Sequence, residues 1–396
     1  MPKKLLNKSI AGASLLVAGL SSPQIHSAET ITEAFSEGKA SLNMRLRYEG
    51  VDDGNLSTQD AEAYTLRSRL GFTSGVYKDF KAHADFEVIN TGGDFDSGSN
   101  ANTGYAKVVD PKGEELNQAW LSYEGLTDTE IKLGRQRIIL DNARFVGNVG
   151  WRMNEQTFDA LKFTNKSFSD TEISLSHISQ INTITGGATD TSHNLLNAGT
   201  KTSLGKVSAY AYLLDVDDAT GSADTDTLGL RLKGNTDSFL YTVEFAQQSD
   251  GADNTADISA TYLFGEAGYK IDSTKIFLGF ESLGSDDGTY GFQTPLATKH
   301  AFNGWADKFL ATPATGLNDA YIKVVSKFAG MKFVGTYHDF SSDEASINYG
   351  TELDLLLVKP FNKTFKGLIK YSDYNADSFS TDTQKIWLAL EANFKQ

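Results

Sequence analysis

The sequence predicts an all-β fold: a transmembrane antiparallel β-barrel of about 18 strands, with about 16 as the alternative count, short periplasmic turns and long extracellular loops. Three observations predict it. Apolar and polar residues alternate with a period of two through almost every segment after Lys39, so each strand has two unlike faces. The polar face carries full charges on many strands, as a water-filled lumen permits. Short and long connections alternate, and the prolines avoid the strands: Pro111, Pro295 and Pro313 fall in long loops and Pro360 in a turn, where no ladder donor is lost.

The elements follow in chain order. Segment 40–50 sets Leu42, Met44, Leu46 and Tyr48 against Asn43, Arg45, Arg47 and Glu49. Segment 62–74 sets Tyr64, Leu66, Leu70 and Phe72 against Thr65, Arg67, Arg69 and Thr73. Segment 80–91 opposes Phe80, Ala82, Ala84, Phe86 and Val88 to Lys81, His83, Asp85 and Glu87. Strands are next expected at 115–124, 128–138, 156–164, 171–182, 194–203 and 207–215. At 226–233, Leu228, Leu230 and Leu232 oppose Arg231 and Lys233; at 239–248, Phe239, Tyr241, Val243 and Phe245 oppose Thr242 and Glu244. The rest fall at 256–271, 274–283, 318–328, 331–340, 350–358, 364–374 and 384–394, the last with Ile386, Leu388, Leu390, Ala392 and Phe394 on one face. Connections such as 125–127, 204–206 and 272–273 read as turns, and 51–61, 92–114, 139–155, 183–193, 216–225, 249–255, 284–317, 341–349 and 375–383 as loops. In hydrocarbon every backbone N–H and C=O needs an internal partner, so a spanning sheet must close. A ring of this size leaves room for an aqueous channel. Tyr48, Tyr64, Phe72, Tyr123, Phe245, Tyr262, Phe280, Phe333 and Tyr371 are candidates for the aromatic girdles at the two interfaces.

Residues 1–28 read as a signal peptide, with Lys3, Lys4 and Lys8 before a short apolar run and Ala28 at the cleavage site; residues 29–396 read as one barrel domain. Export without cysteine suits the outer membrane of a Gram-negative bacterium, and it excludes disulfide scaffolds and Cys-ligated metals. The net charge of −15 argues against a nucleic-acid partner. The expected partners are outer-membrane lipid and lipopolysaccharide around the barrel, the barrel assembly machinery during insertion, and an anionic or polar solute inside. The acid excess lies in the long connections, among them Asp52, Asp53, Asp94, Asp96, Asp215, Asp217 and Asp253. No segment there has the spacing of an EF-hand, so these residues read as solvated turn tips.

Charge is distributed unevenly along the strands. Of nine arginines, eight precede residue 153: Arg45, Arg47, Arg67, Arg69, Arg135, Arg137, Arg144 and Arg152. Arg45, Arg47, Arg67 and Arg69 share the polar face of two neighbouring strands, and Lys81 extends the stripe onto the third. Guanidinium groups stay charged and present forked donors suited to carboxylates, so these residues are candidates for binding an anion in the lumen. The competing reading has them brace the wall by pairing with Glu49, Asp85, Glu87 and Glu124. No HExxH pair, G-x-S-x-G elbow or phosphate-binding loop occurs, and neither an enzyme nor a cofactor is expected.

Two stretches break the alternation. One runs from Leu133-Gly134-Arg135-Gln136-Arg137 through Asn142-Ala143-Arg144-Phe145-Val146-Gly147 and Trp151-Arg152 to Gln156-Thr157-Phe158-Asp159-Ala160. The other runs from Phe292-Gln293-Thr294-Pro295-Leu296 through His300-Ala301-Phe302-Asn303-Gly304-Trp305-Ala306-Asp307-Lys308-Phe309. Both resemble segments of the bacterial alginate-export outer-membrane family. That resemblance implies an eighteen-strand barrel whose arginine-rich lumen passes an anionic polysaccharide, with loops gating the pore. The residues themselves add that a wholly solvated loop has no need of Trp151, Phe302, Trp305 and Phe309. With Asn303 and Lys308 these are expected to fold inward and constrict the lumen, the alternative being packing on the barrel rim. The expectation is a channel for passive passage of anionic or polar solutes, acidic saccharides among them. An OprD-like porin for small carboxylates and a plugged structural or adhesion barrel are the alternatives.

Overall fold

The computed structural model describes residues 27–99, 102–217 and 223–395. The expected signal peptide lies outside the described residues up to His26. Eighteen antiparallel strands form one ring. They are β1 Lys39–Asp52, β2 Ala61–Thr73, β3 Phe80–Asp94, β4 Gly113–Leu126, β5 Thr129–Gln136, β6 Thr157–Asn165, β7 Thr171–Asn182, β8 Ala188–Thr202 and β9 Gly205–Leu214. The second half continues with β10 Thr225–Asn235, β11 Phe239–Asp250, β12 Ser259–Ile271, β13 Thr274–Leu283, β14 Leu317–Phe328, β15 Met331–Ser341, β16 Asn348–Pro360, β17 Phe365–Ala376 and β18 Thr383–Lys395. Each strand pairs with its neighbours in sequence, and the ring closes where β1 pairs with β18, Leu46 opposite Leu390 and Arg45 opposite Glu391. All eighteen strands expected from the alternation are present.

Most boundaries lie within three residues of the sequence reading, and two differences are instructive. β8 begins at Ala188 rather than 194, because its first residues pair with Gln180–Asn182 beyond the stretch where one face must be greasy. Pro360 ends β16 rather than standing in the turn, at a strand terminus where a missing donor is tolerated. The short connections are tight: Ala329 and Gly330 both have positive φ, 48° and 68°, the conformation of a type I′ turn whose twist matches the strands it joins.

The alternation resolves into an outside and an inside. Leu46 is 53% exposed and the adjacent Arg47 is 1%; Leu70 is 61% and Arg69 is 9%. Tyr64, Phe245 and Phe280 face outward with the leucines. Tyr262 corrects the girdle expectation: it is 1% exposed and faces the interior, its hydroxyl donating to Glu281 at 2.6 Å. The reason lies in what fills that side of the barrel. Phe145, Phe292, Leu296 and Phe309, all from inward-folded loops, pack on Tyr210, Tyr212, Tyr262, Phe340, Tyr349 and Tyr374 of the wall. An inward aromatic there meets protein rather than water. A short helix, α1 Ile31–Ser36, precedes β1, capped by the Thr30 hydroxyl accepting from the Glu33 N–H, and its Phe35 stacks on the lipid-facing Phe72.

Candidate functional site

The register of β1 and β2 sets Arg45 directly across from Arg67 and Asn43 across from Arg69. Like charges so placed repel, and each is offset by an acid or by backbone carbonyls. Arg45 Nε donates to Glu391 Oε1 at 2.8 Å, and its Nη1 reaches the carbonyls of Gly150 and Trp151 at 3.2 and 3.1 Å. Arg47 pairs with Asp110 and donates to the Trp151 carbonyl at 2.7 Å. Arg67 donates to the Met153 carbonyl at 3.2 Å. Arg69 Nε donates to Glu87 at 2.7 Å while its Nη1 lies 2.9 Å from Glu155. The stripe therefore grips loop 139–155, whose carbonyls it holds against the wall.

The other basic candidates are paired as well. Lys81 meets Glu124 at 3.0 Å near the turn-side rim. Arg135 chelates Asp159 at 2.8 and 3.1 Å, and Arg137 Nε donates to Glu155 at 2.7 Å. Arg144 donates to Glu281 at 2.7 Å and to Asn303 at 2.8 Å. Arg152 lies 3.3 Å from Glu49 and 3.0 Å from Asp307. Of the four acids expected to brace the wall, Glu49, Glu87 and Glu124 do so; Asp85 instead accepts from Asn117, Gln118 and His83 at 2.9, 2.8 and 3.2 Å.

Loop 284–317 folds inward beside loop 139–155, and the two are joined: the Gly147 N–H donates to the Leu296 carbonyl at 2.9 Å and the Thr298 N–H to the Ala143 carbonyl at 3.0 Å. Asn303 Nδ2 donates to Glu281 at 2.6 Å and to Asp319 at 3.2 Å. Phe302 lies beneath the Arg144 guanidinium, 4.8 Å from its carbon. Gly304 has φ +83°, and a Cβ there would run into Glu352. The missing side chain lets the next turn approach, so that Ala306 N–H donates to Glu352 at 2.7 Å and Trp305 N–H to Asp354 at 3.2 Å. Lys308 reaches Thr381 at 3.5 Å and sits over Tyr374. Trp151, Phe302, Asn303 and Trp305 thus contact the inner wall, while Lys308 lies nearer the loop-side rim.

At the junction of both loops with the wall lies a cluster that the alternation alone did not single out. Trp151 stacks on His300 with centroids 4.9 Å apart. Lys370 of β17, buried, places its ammonium 4.1, 3.8 and 5.1 Å from the ring centroids of Trp151, Trp305 and Trp387. It also lies 2.6 Å from His300 Nε2, and His300 Nδ1 lies 2.6 Å from Asp307. An ammonium only donates, so Nε2 accepts, and Nδ1 carries the proton that Asp307 receives. Burial first, and the neighbouring Lys370 and Arg152 charges against the opposing pull of Asp307, lower the His300 pKa to about 3. Burial would raise Asp307, but His300, Lys385 and Arg152 hold its carboxyl well below the usual range. Burial would likewise raise Glu155; Arg69, Arg137 and Asn117 outweigh it and keep it below its ordinary value.

Two polar cavities flank loop 139–155. One of about 470 Å³ faces the turn side and is lined by Asn43, Arg67, Arg69, His83, Trp120 and Arg137. One of about 420 Å³ faces the loop side and is lined by Glu115, Arg135, Asn154 and Asn182. Among the described residues no His, Asp and Glu group is arranged to hold a metal ion. What these side chains offer is binding and constriction.

A family profile described as alginate export matches residues 38–276. No curated protein sequence matches the chain. Solved outer-membrane structures share the fold at low identity. A BenF-like porin from Pseudomonas fluorescens is 13% identical, covering 92% of this chain and 100% of its own at a TM-score of 0.72. OccAB4 of Acinetobacter baumannii is 15% identical, covering 91% and 98% at 0.70. OpdK of Pseudomonas aeruginosa, solved with vanillate, is 13% identical, covering 91% and 100% at 0.69.

Proposed function

This chain belongs to the alginate-export family, and on that premise we propose that it passes anionic or polar solutes, acidic saccharides among them, through the outer membrane of a Gram-negative bacterium by passive diffusion. It is an outer-membrane β-barrel of porin type. The arginine-rich wall of β1, β2 and the end of β5 attracts the solute, and loops 139–155 and 284–317 set the size limit. Lipid and lipopolysaccharide surround the barrel, and the assembly machinery inserts it. One observation carries the reading: Arg67, Arg69 and Arg137 line one cavity of about 470 Å³ on the turn side, with the Arg137 side chain 34% exposed to it. Guanidinium donors gathered in a confined aqueous space favour anions there even when each has an acidic partner, because a fork of donors is not exhausted by one acceptor.

The test is the reversal potential of the reconstituted protein under a KCl gradient, before and after Arg45, Arg47, Arg67 and Arg69 are together changed to glutamine. Wild type is expected to prefer anions and the quadruple variant to lose that preference; heat-modifiable gel mobility reports that the variant barrel is folded. A wild type as cation-preferring as the variant would overturn the reading.

Small carboxylates are a second reading, favoured by the Trp120 ring stacked on His83 at 5.2 Å beside Arg69 in the same cavity. Vanillate, the molecule solved with OpdK, is an aromatic carboxylate of suitable size. Competition between uronate oligomers and vanillate for block of the chloride current separates the two.

A further inference from the structure

Glu155 lies between residues that line the two cavities. Asn154 lines the loop-side cavity, and the next residue turns its carboxylate toward Arg69 and Arg137, which line the turn-side one. The Glu155 side chain is 3% exposed. Its Oε1 accepts from Arg137 Nε at 2.7 Å and from Asn117 Nδ2 at 2.7 Å, with Arg69 Nη1 at 2.9 Å; its Oε2 accepts from Asn148 Nδ2 at 2.5 Å. Two guanidiniums and two amides around one carboxylate form the donor set that a free carboxylate ligand would need. Arg69 and Asn117 come from β2 and β4, and Arg137 directly follows β5, whereas the carboxylate arrives on the inward loop together with Asn148. Receptor and occupant therefore belong to different parts of the fold.

We infer that Arg69, Arg137 and Asn117 form a carboxylate subsite in the translocation path, that Glu155 occupies it as a tethered stand-in, and that a solute carboxylate crosses between the cavities by exchanging with it. The inference rests on the anion-channel reading and adds the group on the solute that is recognised. Exchange keeps the arginines paired throughout, so the passing anion does not leave a buried charge uncompensated. A tethered carboxylate competes at an effective concentration on the order of millimolar or more, so weakly held solutes pass only when abundant.

The test compares wild type, Glu155→Gln and Glu155→Ala in planar bilayers, with sodium glucuronate as the permeant anion and heat-modifiable mobility as the check on folding. Removing the tethered competitor is expected to lower the half-saturating glucuronate concentration at least threefold and to raise the anion-to-cation permeability ratio. Arg137→Gln in the Glu155→Gln background should reverse both gains. If wild type prefers anions, yet both Glu155 variants stay within twofold of it on both measures, the subsite is overturned and the channel reading stands. If wild type shows no preference for anions, the channel reading itself falls. Should Glu155→Ala give no folded band, Glu155→Gln, which keeps the shape of the side chain, carries the same expectations alone.

Discussion

The ammonium of Lys370 lies 3.8 Å from the centroid of the Trp305 ring. One partner is on a wall strand and the other on an inward loop, so the contact ties the loop to the barrel. Trp151, from the second loop, and Trp387, from β18, complete the enclosure, which gathers three of the four tryptophans of the chain. A desolvated cation–π contact contributes about 2 kcal/mol. Lys370→Met keeps the volume and removes the charge. It should loosen both loops, seen as faster proteolysis within 284–317 and a higher single-channel conductance.

Deleting 296–312 removes Phe302, Asn303, Trp305, Lys308 and Phe309 together, along with the Leu296 carbonyl that holds Gly147. Single-channel conductance should rise at least twofold. Unchanged conductance would mean that these residues do not limit the path.

Acid should act on the same junction. His300 titrates at about 3 when docked and near 6.5 when released, so release takes up a proton at any pH between those values. Docking is therefore fully favoured above about 6.5, and its advantage shrinks as pH falls, with the loss complete near 3. The depressed carboxyl of Asp307 acts in the same direction, its contribution lost below the ordinary value of 3.8. Arg152, Lys370 and Lys385 face the pair. Open-channel current should grow and become noisier as pH drops from 6.5 toward 3, and His300→Phe, which cannot be protonated, should flatten that response.

Burial separates the arginines in their effect on stability. The Arg144 side chain is 3% exposed, and without it Glu281 would keep a buried charge with only Tyr262 and Asn303 as donors. Arg144→Ala should destabilise the barrel by about 3–5 kcal/mol, read as a lower temperature of the heat-modifiable transition. Arg135, 27% exposed on Asp159, should shift it by less than about 1 kcal/mol when changed to Ala.

The wall was legible in the sequence because lipid and lumen impose opposite demands on adjacent residues, and Leu46 beside Arg47 records both. Legibility ended where one demand lapses. Thr189 and Thr191 at the start of β8 need no greasy neighbour, so that end of the strand carried no signal. Tyr262 read as a girdle residue, although with Tyr210 and Tyr212 it marks the inner surface that a loop covers. Glu155 and Lys370 carried no signal of their own in the sequence. Their roles depend on Trp151, Trp305, Trp387 and Arg69, which are distant in sequence and meet only in the fold.

The bond from Gly147 to Leu296 joins halves of the chain that meet only inside a sealed cylinder. Arg45 and Arg47 of β1 hold Trp151, while Lys385 of β18 holds Asp307 at 3.1 Å, so the two strands that meet at the seam also anchor the inward loops. Parting that seam would free both inward loops at once, so the filling of the interior and the closure of the ring stand or fall together.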